Sequence, residues 1–93
     1  MTIYILTKTR ISTDLYDQCE DGCKVVGAYA NLARAQNALD IELAALAAHY
    51  AATAYNGEEE RPDKRNALYI VSGKDGALEH EYTLAIHEKV VQG

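Results

Sequence analysis

One stretch constrains this chain more than any other, the run from Leu32 to Tyr55. Leu32, Leu39, Leu43, Leu46 and Tyr50 recur at helical spacing and fall on one narrow stripe. The run contains no Gly or Pro, and its commonest residue is Ala, the best helix former. The spacing predicts a helix over 32–55, about 35 Å long at about 1.5 Å per residue. Asn31 stands in front of it as an N-cap, and Asn56-Gly57 marks its end. The third helical position is Arg34, so no capping box forms.

The remaining segments read as strands and connections. Thr2 to Thr9 alternates, with Ile3 and Ile5 on one side and Tyr4 and Leu6 on the other. Apolar groups on both sides suit a central strand. Arg10 to Cys23 breaks the alternation and reads as a polar loop around Asp21-Gly22. Lys24 to Ala30 is a second strand, in which Gly27 signals a bulge or a close approach by the helix backbone. Glu58 to Arg65 reads as a charged surface loop. Ala67 to Gly73 is a third strand, Lys74 to Ala77 a tight turn with Asp75-Gly76 at its centre, and Leu78 to Val91 holds the last strand. There Tyr82, Leu84 and Ile86 share one face, against a wet face of Glu81, Thr83, Ala85, His87 and Lys89. A two-residue loop would set Tyr69 opposite Tyr82. A three-residue loop would set Ile70 opposite Tyr82 and Leu68 opposite Leu84, which sorts the apolar groups better. The latter register is the expected one.

The expected fold is therefore α+β: a four-stranded, mainly antiparallel sheet in ββαββ order, with one long helix packed on a face. At 93 residues the chain suits a single domain over 1–93. The expected core is Ile3, Ile5, Val26, Leu32, Leu39, Leu43, Leu46, Tyr50, Leu68, Ile70, Leu84 and Ile86.

At this point a resemblance enters. IYILT at Ile3–Thr7, VVGAYANLARAQNAL beginning at Val25, and YTLAIHE at Tyr82–Glu88 resemble a group of small phage and bacterial proteins. Those proteins open with a strand, pass through a strand-to-helix junction and close with an acidic strand. The resemblance covers about two thirds of this chain, whose helix is longer and richer in Ala. Small proteins from phages and mobile elements often bind and disable host factors, including defence complexes. The resemblance thus implies a host-directed protein binder, and it carries over no functional residue.

Composition narrows the partners. The net charge of −5 disfavours direct contact with nucleic acid or an anionic membrane and suits a basic or nucleic-acid-binding protein. The aromatic class is seven Tyr with neither Phe nor Trp, and Tyr favours half-buried sites and interfaces. No apolar run reaches the roughly 20 residues of a membrane span, and the opening strand lacks a signal peptide's basic start. The expected location is the cytoplasm, with Cys19 and Cys23 as reduced thiols.

No catalytic or cofactor motif emerges. C-x-x-x-C at Cys19 and Cys23 is wider than the usual paired zinc spacing and lacks clustered partners among His49, His80 and His87. Asp17 to Gly22 starts like a calcium loop, but Cys19 stands where an oxygen ligand belongs and no bidentate Glu closes it. His80 and His87 have an odd separation on a strand and face opposite sides. Ser12 and Ser72 lack a nucleophile elbow. The expectation is a chain without catalytic residues, metal or cofactor.

Two surfaces remain. Asp14, Asp17, Glu20 and Asp21 form an acidic cluster, read either as a solvated loop or as a prong for a basic partner. Ile41, Ala45, Ala48, Ala52 and Tyr55 form a second stripe, roughly opposite the Leu stripe. Left bare, that stripe is an ordinary Ala-rich surface; paired with its own copy, it is a homodimer seam.

Overall fold

The long helix and the strands it covers are laid out in a computed structural model that describes residues 1–13 and 18–92, with side chains described for 1–11 and 23–92. The chain runs β1 (Thr2–Thr13), β2 (Gln18–Tyr29), α1 (Leu32–Ala51), β3 (Asn56–Glu60), β4 (Asn66–Ser72) and β5 (Leu78–Val90). The fold is α+β, one helix over an antiparallel sheet of order β2-β1-β5-β4-β3. Five strands rather than four make the sheet. The extra one is Asn56–Glu60 (NGEEE), where the sequence reads as helix end and charged loop. Its propensity for β structure is poor, and pairing with β4 overrides it: Glu58 lies opposite Ile70 and Glu60 opposite Leu68.

The helix begins as expected. Asn31 is extended, and its side-chain oxygen accepts the Arg34 N–H at 2.9 Å. Replacing Asn31 by Ala should cost about 0.5–2 kcal/mol, readable as a lower melting temperature with unchanged circular dichroism at low temperature. The helix ends at Ala51, four residues short of the expected Tyr55. The Ala52 N–H bonds the Tyr50 carbonyl as the cap, and Thr53 bonds the same carbonyl through its N–H at 3.1 Å and its hydroxyl at 2.7 Å. A side chain that competes for backbone groups suits a terminus rather than a helix interior.

Arg10 to Cys23 is not a loop throughout. β1 continues to Thr13 and β2 starts at Gln18, with Arg10 opposite Gly22 and Ile11 opposite Glu20. The expectation of a bulge at Gly27 is met, because the register with β1 shifts between Leu6 and Thr7, leaving Val26 as an extra residue. It is the Tyr29 ring that approaches Gly27: a Cβ there would lie 2.6 Å from the Tyr29 hydroxyl oxygen.

The core lies between α1 and one face of the sheet. Ala35, Leu39, Leu43, Leu46 and Tyr50 of the helix meet Leu6, Ala67, Tyr69, Val71, Tyr82, Leu84 and Ile86. Tyr4, Val26, Tyr29, Leu32 and Ala38 pack around them, half-buried. Four expected core residues face away. Leu6 is fully buried, so by strand alternation Ile3 and Ile5 point to the other side. In β4 the buried positions are Ala67, Tyr69 and Val71, which puts Leu68 and Ile70 on that other side as well. For Leu68 and Ile70 the hairpin register is the cause. Tyr69, not Ile70, lies opposite Tyr82. The turn is indeed a three-residue one, closed by Gly73 N–H to Ala77 O at 2.8 Å with Gly76 at φ 82°. A bulge at Glu79 then shifts the pairing by one residue, because Ser72 pairs with Leu78 and Val71 with His80.

Two polar features pin the layers. The hydroxyls of Tyr50 and Tyr82 lie 2.6 Å apart and satisfy each other inside the core. At the opposite end Arg61 pairs with Asp40 at 2.7 Å, tying the β3–β4 connection to the helix. The Asp63 carboxylate accepts from Asn66 Nδ2 at 2.9 Å and Arg65 N at 2.7 Å, which holds its pKa below the usual carboxylate range.

Candidate docking surface

Among the described residues a single helix covers one face of a five-stranded sheet, and no element lies over the other face. Side chains that alternate away from the core define that face. β1 contributes Ile3, Ile5, Thr7, Thr9 and Ile11. β5 contributes Glu81, Thr83, Ala85, His87 and Lys89, and β4 contributes Leu68 and Ile70. Ala28 lies opposite Ile5 and Val25 opposite Thr7 on β2. Ile3, Ile5, Ile11, Leu68 and Ile70 are only half-buried, shielded by sheet neighbours alone, and Val25 is 62% exposed. Branched aliphatic groups are stiff, so each offers apolar contact at low entropic cost of ordering.

Acids flank the β4 residues of this face. Glu58 stands opposite Ile70 and Glu60 opposite Leu68, so both carboxylates share the open face. Glu81 is opposite Ile70 from the β5 side and opposite Ile11 from the β1 side. Thr7 and His87 meet at its middle, with Thr7 Oγ1 3.0 Å from His87 Nε2 and 3.4 Å from the Ala85 carbonyl it donates to. The cations Lys8, Arg10 and Lys24 sit on the helix side instead, around a concavity that also touches Tyr82. Lys8 pairs there with Glu42 at 3.4 Å. Both faces carry both signs: Lys89 lies opposite Ile3 on the open face, and Glu42, Asp40 and Glu59 stand with the cations on the helix side.

The acidic cluster expected at the β1–β2 connection is only partly described. Asp14 and Asp17 lie outside the described residues. The backbone of Glu20 and Asp21 belongs to strand β2 rather than to a loop. Of the second helix stripe, Ile41 is 61% exposed, and Ala45 and Ala48 are exposed beside it. Ala52 is the exposed cap residue. Tyr55 has left the helix, and its ring contacts Tyr50 edge-on at 6.4 Å between centroids. The stripe is therefore three residues long on the helix, with Ala52 and Tyr55 past its end.

Sequence reasoning missed the open face because it assigned Ile3, Ile5, Leu68 and Ile70 to the core. The charges of β1 point the same wrong way: Lys8 and Arg10 share phase with Tyr4 and Leu6, which reads as a wet side. The structure keeps both cations on the helix side all the same, where Lys8 pairs with Glu42. Among the described residues no three His, Cys, Asp or Glu side chains are grouped to hold a metal, and no helix is long and apolar enough to cross a membrane. The described thiol, Cys23, is exposed and unpaired. Comparison with family models, curated proteins and solved structures finds no match to this chain, so its surface is read from its own residues.

Proposed function

We propose that this chain is a non-catalytic protein-binding module that docks its partner on the open face of the sheet. The observation that carries this reading is the open face, on which Ile3 and Ile5 of β1 and Leu68 and Ile70 of β4 lie partly exposed on either side of Thr83, Ala85 and His87 of β5, with Glu58, Glu60 and Glu81 beside the β4 pair. Apolar groups left partly exposed beside charged ones mark interaction sites. These carboxylates select a partner whose own apolar surface is bordered by Lys or Arg, such as a nucleic-acid-binding protein, because complementary charge steers encounter and rejects acidic competitors. The resemblance to small phage proteins makes host proteins, defence factors included, the first class of target to test.

The test compares wild type with the double variant Ile5→Glu, Ile70→Glu in capture from host lysate followed by titration of the captured protein. Both side chains already touch solvent, so the variant should fold and melt close to wild type, while its affinity falls about 100-fold or more, as expected when anchors at an interface centre are lost. Reversing Glu58 and Glu60 to Lys should slow association and flatten its dependence on salt. A captured protein that binds the Ile5→Glu, Ile70→Glu variant as tightly as wild type sinks the reading.

A further inference from the structure

The concavity on the helix side at Lys8, Arg10, Lys24 and Tyr82 has a volume of about 270 Å³. Its three cations come from adjacent strands. Lys8 lies directly opposite Lys24, and Arg10 follows two residues along the same side of β1. Like charges directly opposite each other in a sheet are destabilising. Three of the chain's nine Lys and Arg stand here, although Asp and Glu outnumber them 14 to 9 in the whole chain. Glu42 offsets Lys8 at 3.4 Å, and the Lys8 ammonium lies 5.6 Å from the centre of the Tyr82 ring. Among the described residues no carboxylate pairs with Lys24. The Tyr82 ring is a fixed floor, because it is 7% exposed and its hydroxyl is held by Tyr50 at 2.6 Å. A pairing rule broken without a compensating contact inside the fold points to a functional site.

We propose that this concavity binds the phosphoryl group of a small molecule, held between Lys8 and Lys24. Directly opposed strand positions set their Cβ atoms about 5 Å apart, so two flexible ammonium groups can reach the oxygens of one anion. Arg10 borders the same space, and a guanidinium presents forked N–H donors that match phosphate oxygens. Charge selects a phosphoryl group over a carboxylate. A phosphate monoester carries about −1.5 to −2 at neutral pH and offsets both lysines, whereas a carboxylate offsets one. Size selects a small ligand, because the volume falls below the roughly 300 Å³ at which pockets for drug-sized ligands begin. Three side chains span too little to follow a nucleic-acid backbone or a bilayer surface, and the net charge of −5 opposes both. A bound anion also relieves the repulsion between Lys8 and Lys24, so it stabilises the fold that binds it. The concavity lies across the sheet from the open face, and its occupancy does not depend on partner docking there.

Thermal melts at about pH 8 compare glycerol phosphate, inorganic phosphate, sodium acetate and sodium chloride at matched ionic strength. At about ten times its dissociation constant, a phosphoryl compound should raise the melting temperature by about 5 °C or more over the chloride control. A larger rise with glycerol phosphate than with inorganic phosphate makes an ester the ligand, and equal rises make it the free ion; both support the site. Lys24→Glu turns the repelling pair into an attracting one. In low salt without ligand it should melt at or above wild type, while the dissociation constant for the phosphoryl compound rises about tenfold or more. Lys74→Glu, between β4 and β5, makes the same change in net charge and should bind as wild type does. In an NMR titration the amides of Lys8, Arg10 and Lys24 should shift, while those of Glu58 and Ile70 beside the open face stay in place. A wild-type melt that both phosphoryl compounds leave unmoved overturns the proposal. An acetate effect as large as the phosphoryl one, a Lys24→Glu variant that binds as tightly as wild type, or an equal loss in Lys74→Glu also overturns it.

Discussion

Leu84→Ala and Leu6→Ala are each expected to destabilise the fold by about 2–5 kcal/mol, the sum of lost transfer energy and the cavity left behind. Both side chains are fully buried, Leu6 at the centre of β1 and Leu84 at the centre of β5, directly beneath the helix. Neighbouring groups are themselves held by sheet pairing on both sides, so the cavity cannot collapse cheaply. For a domain of this size each kcal/mol moves the melting temperature by about 4–8 °C, so a shift of roughly 10 °C or more should be seen by calorimetry. Ile5→Ala is the internal control. Its side chain is partly solvated on the open face, so its loss should cost about 1 kcal/mol or less, by the smaller area removed from water. Equal losses for Leu6→Ala and Ile5→Ala would mean that the buried face of β1 has been assigned the wrong way round.

Stability is expected to fall once the pH passes about 10, the ordinary tyrosine pKa. Tyr50 is the group responsible. Burial in the core, followed by the hydrogen bond with Tyr82, pushes its hydroxyl well above that value. The unfolded chain then releases a proton near pH 10 that the folded chain retains. Stability is fully present below the unfolded pKa and drains away as the pH rises toward the folded one, by at most about 1.4 kcal/mol per pH unit for one proton. Chemical denaturation at pH 8 and at pH 11 measures the loss. In Tyr50→Phe the ionisable group is gone, so the slope above pH 10 should flatten even though the variant starts less stable, with the Tyr82 hydroxyl deprived of its partner. A slope unchanged by Tyr50→Phe would assign the alkaline transition to other tyrosines.

The two expectations about interaction surfaces fared differently once the faces were assigned. The helix stripe drawn from Ile41 to Tyr55 shortens to Ile41, Ala45 and Ala48, because Thr53 caps the helix before Tyr55 is reached. The acids that border an apolar surface are Glu58, Glu60 and Glu81, contributed by two strands on either side of β4. No local pattern could have grouped them. Glu58–Glu60 reads as loop, and its face depends on which residue of β4 it opposes.

What the sequence by itself determined is the helix and its buried stripe. Leu39, Leu43, Leu46 and Tyr50 are buried as their spacing demands, and Asn31 caps the helix as its chemistry allows. Those signals are local: a period of 3.6 with one polar face admits a single orientation. The buried row of β5, Tyr82, Leu84 and Ile86, is legible for the same reason, since its neighbours are polar. β1 and β4 carry apolar residues on both sides, so alternation alone cannot say which side is inside. Tertiary structure decided that: for β1 through the pairing of Leu6 with Ile86, and for β4 through one extra residue at Glu79 that sets Tyr69 against Tyr82. A strand's side-chain period is two, and a shift of one residue exchanges its faces completely. These pairings put Leu6, Tyr69 and Val71 under the helix and leave Ile3, Ile5, Leu68 and Ile70 on the surface proposed to bind.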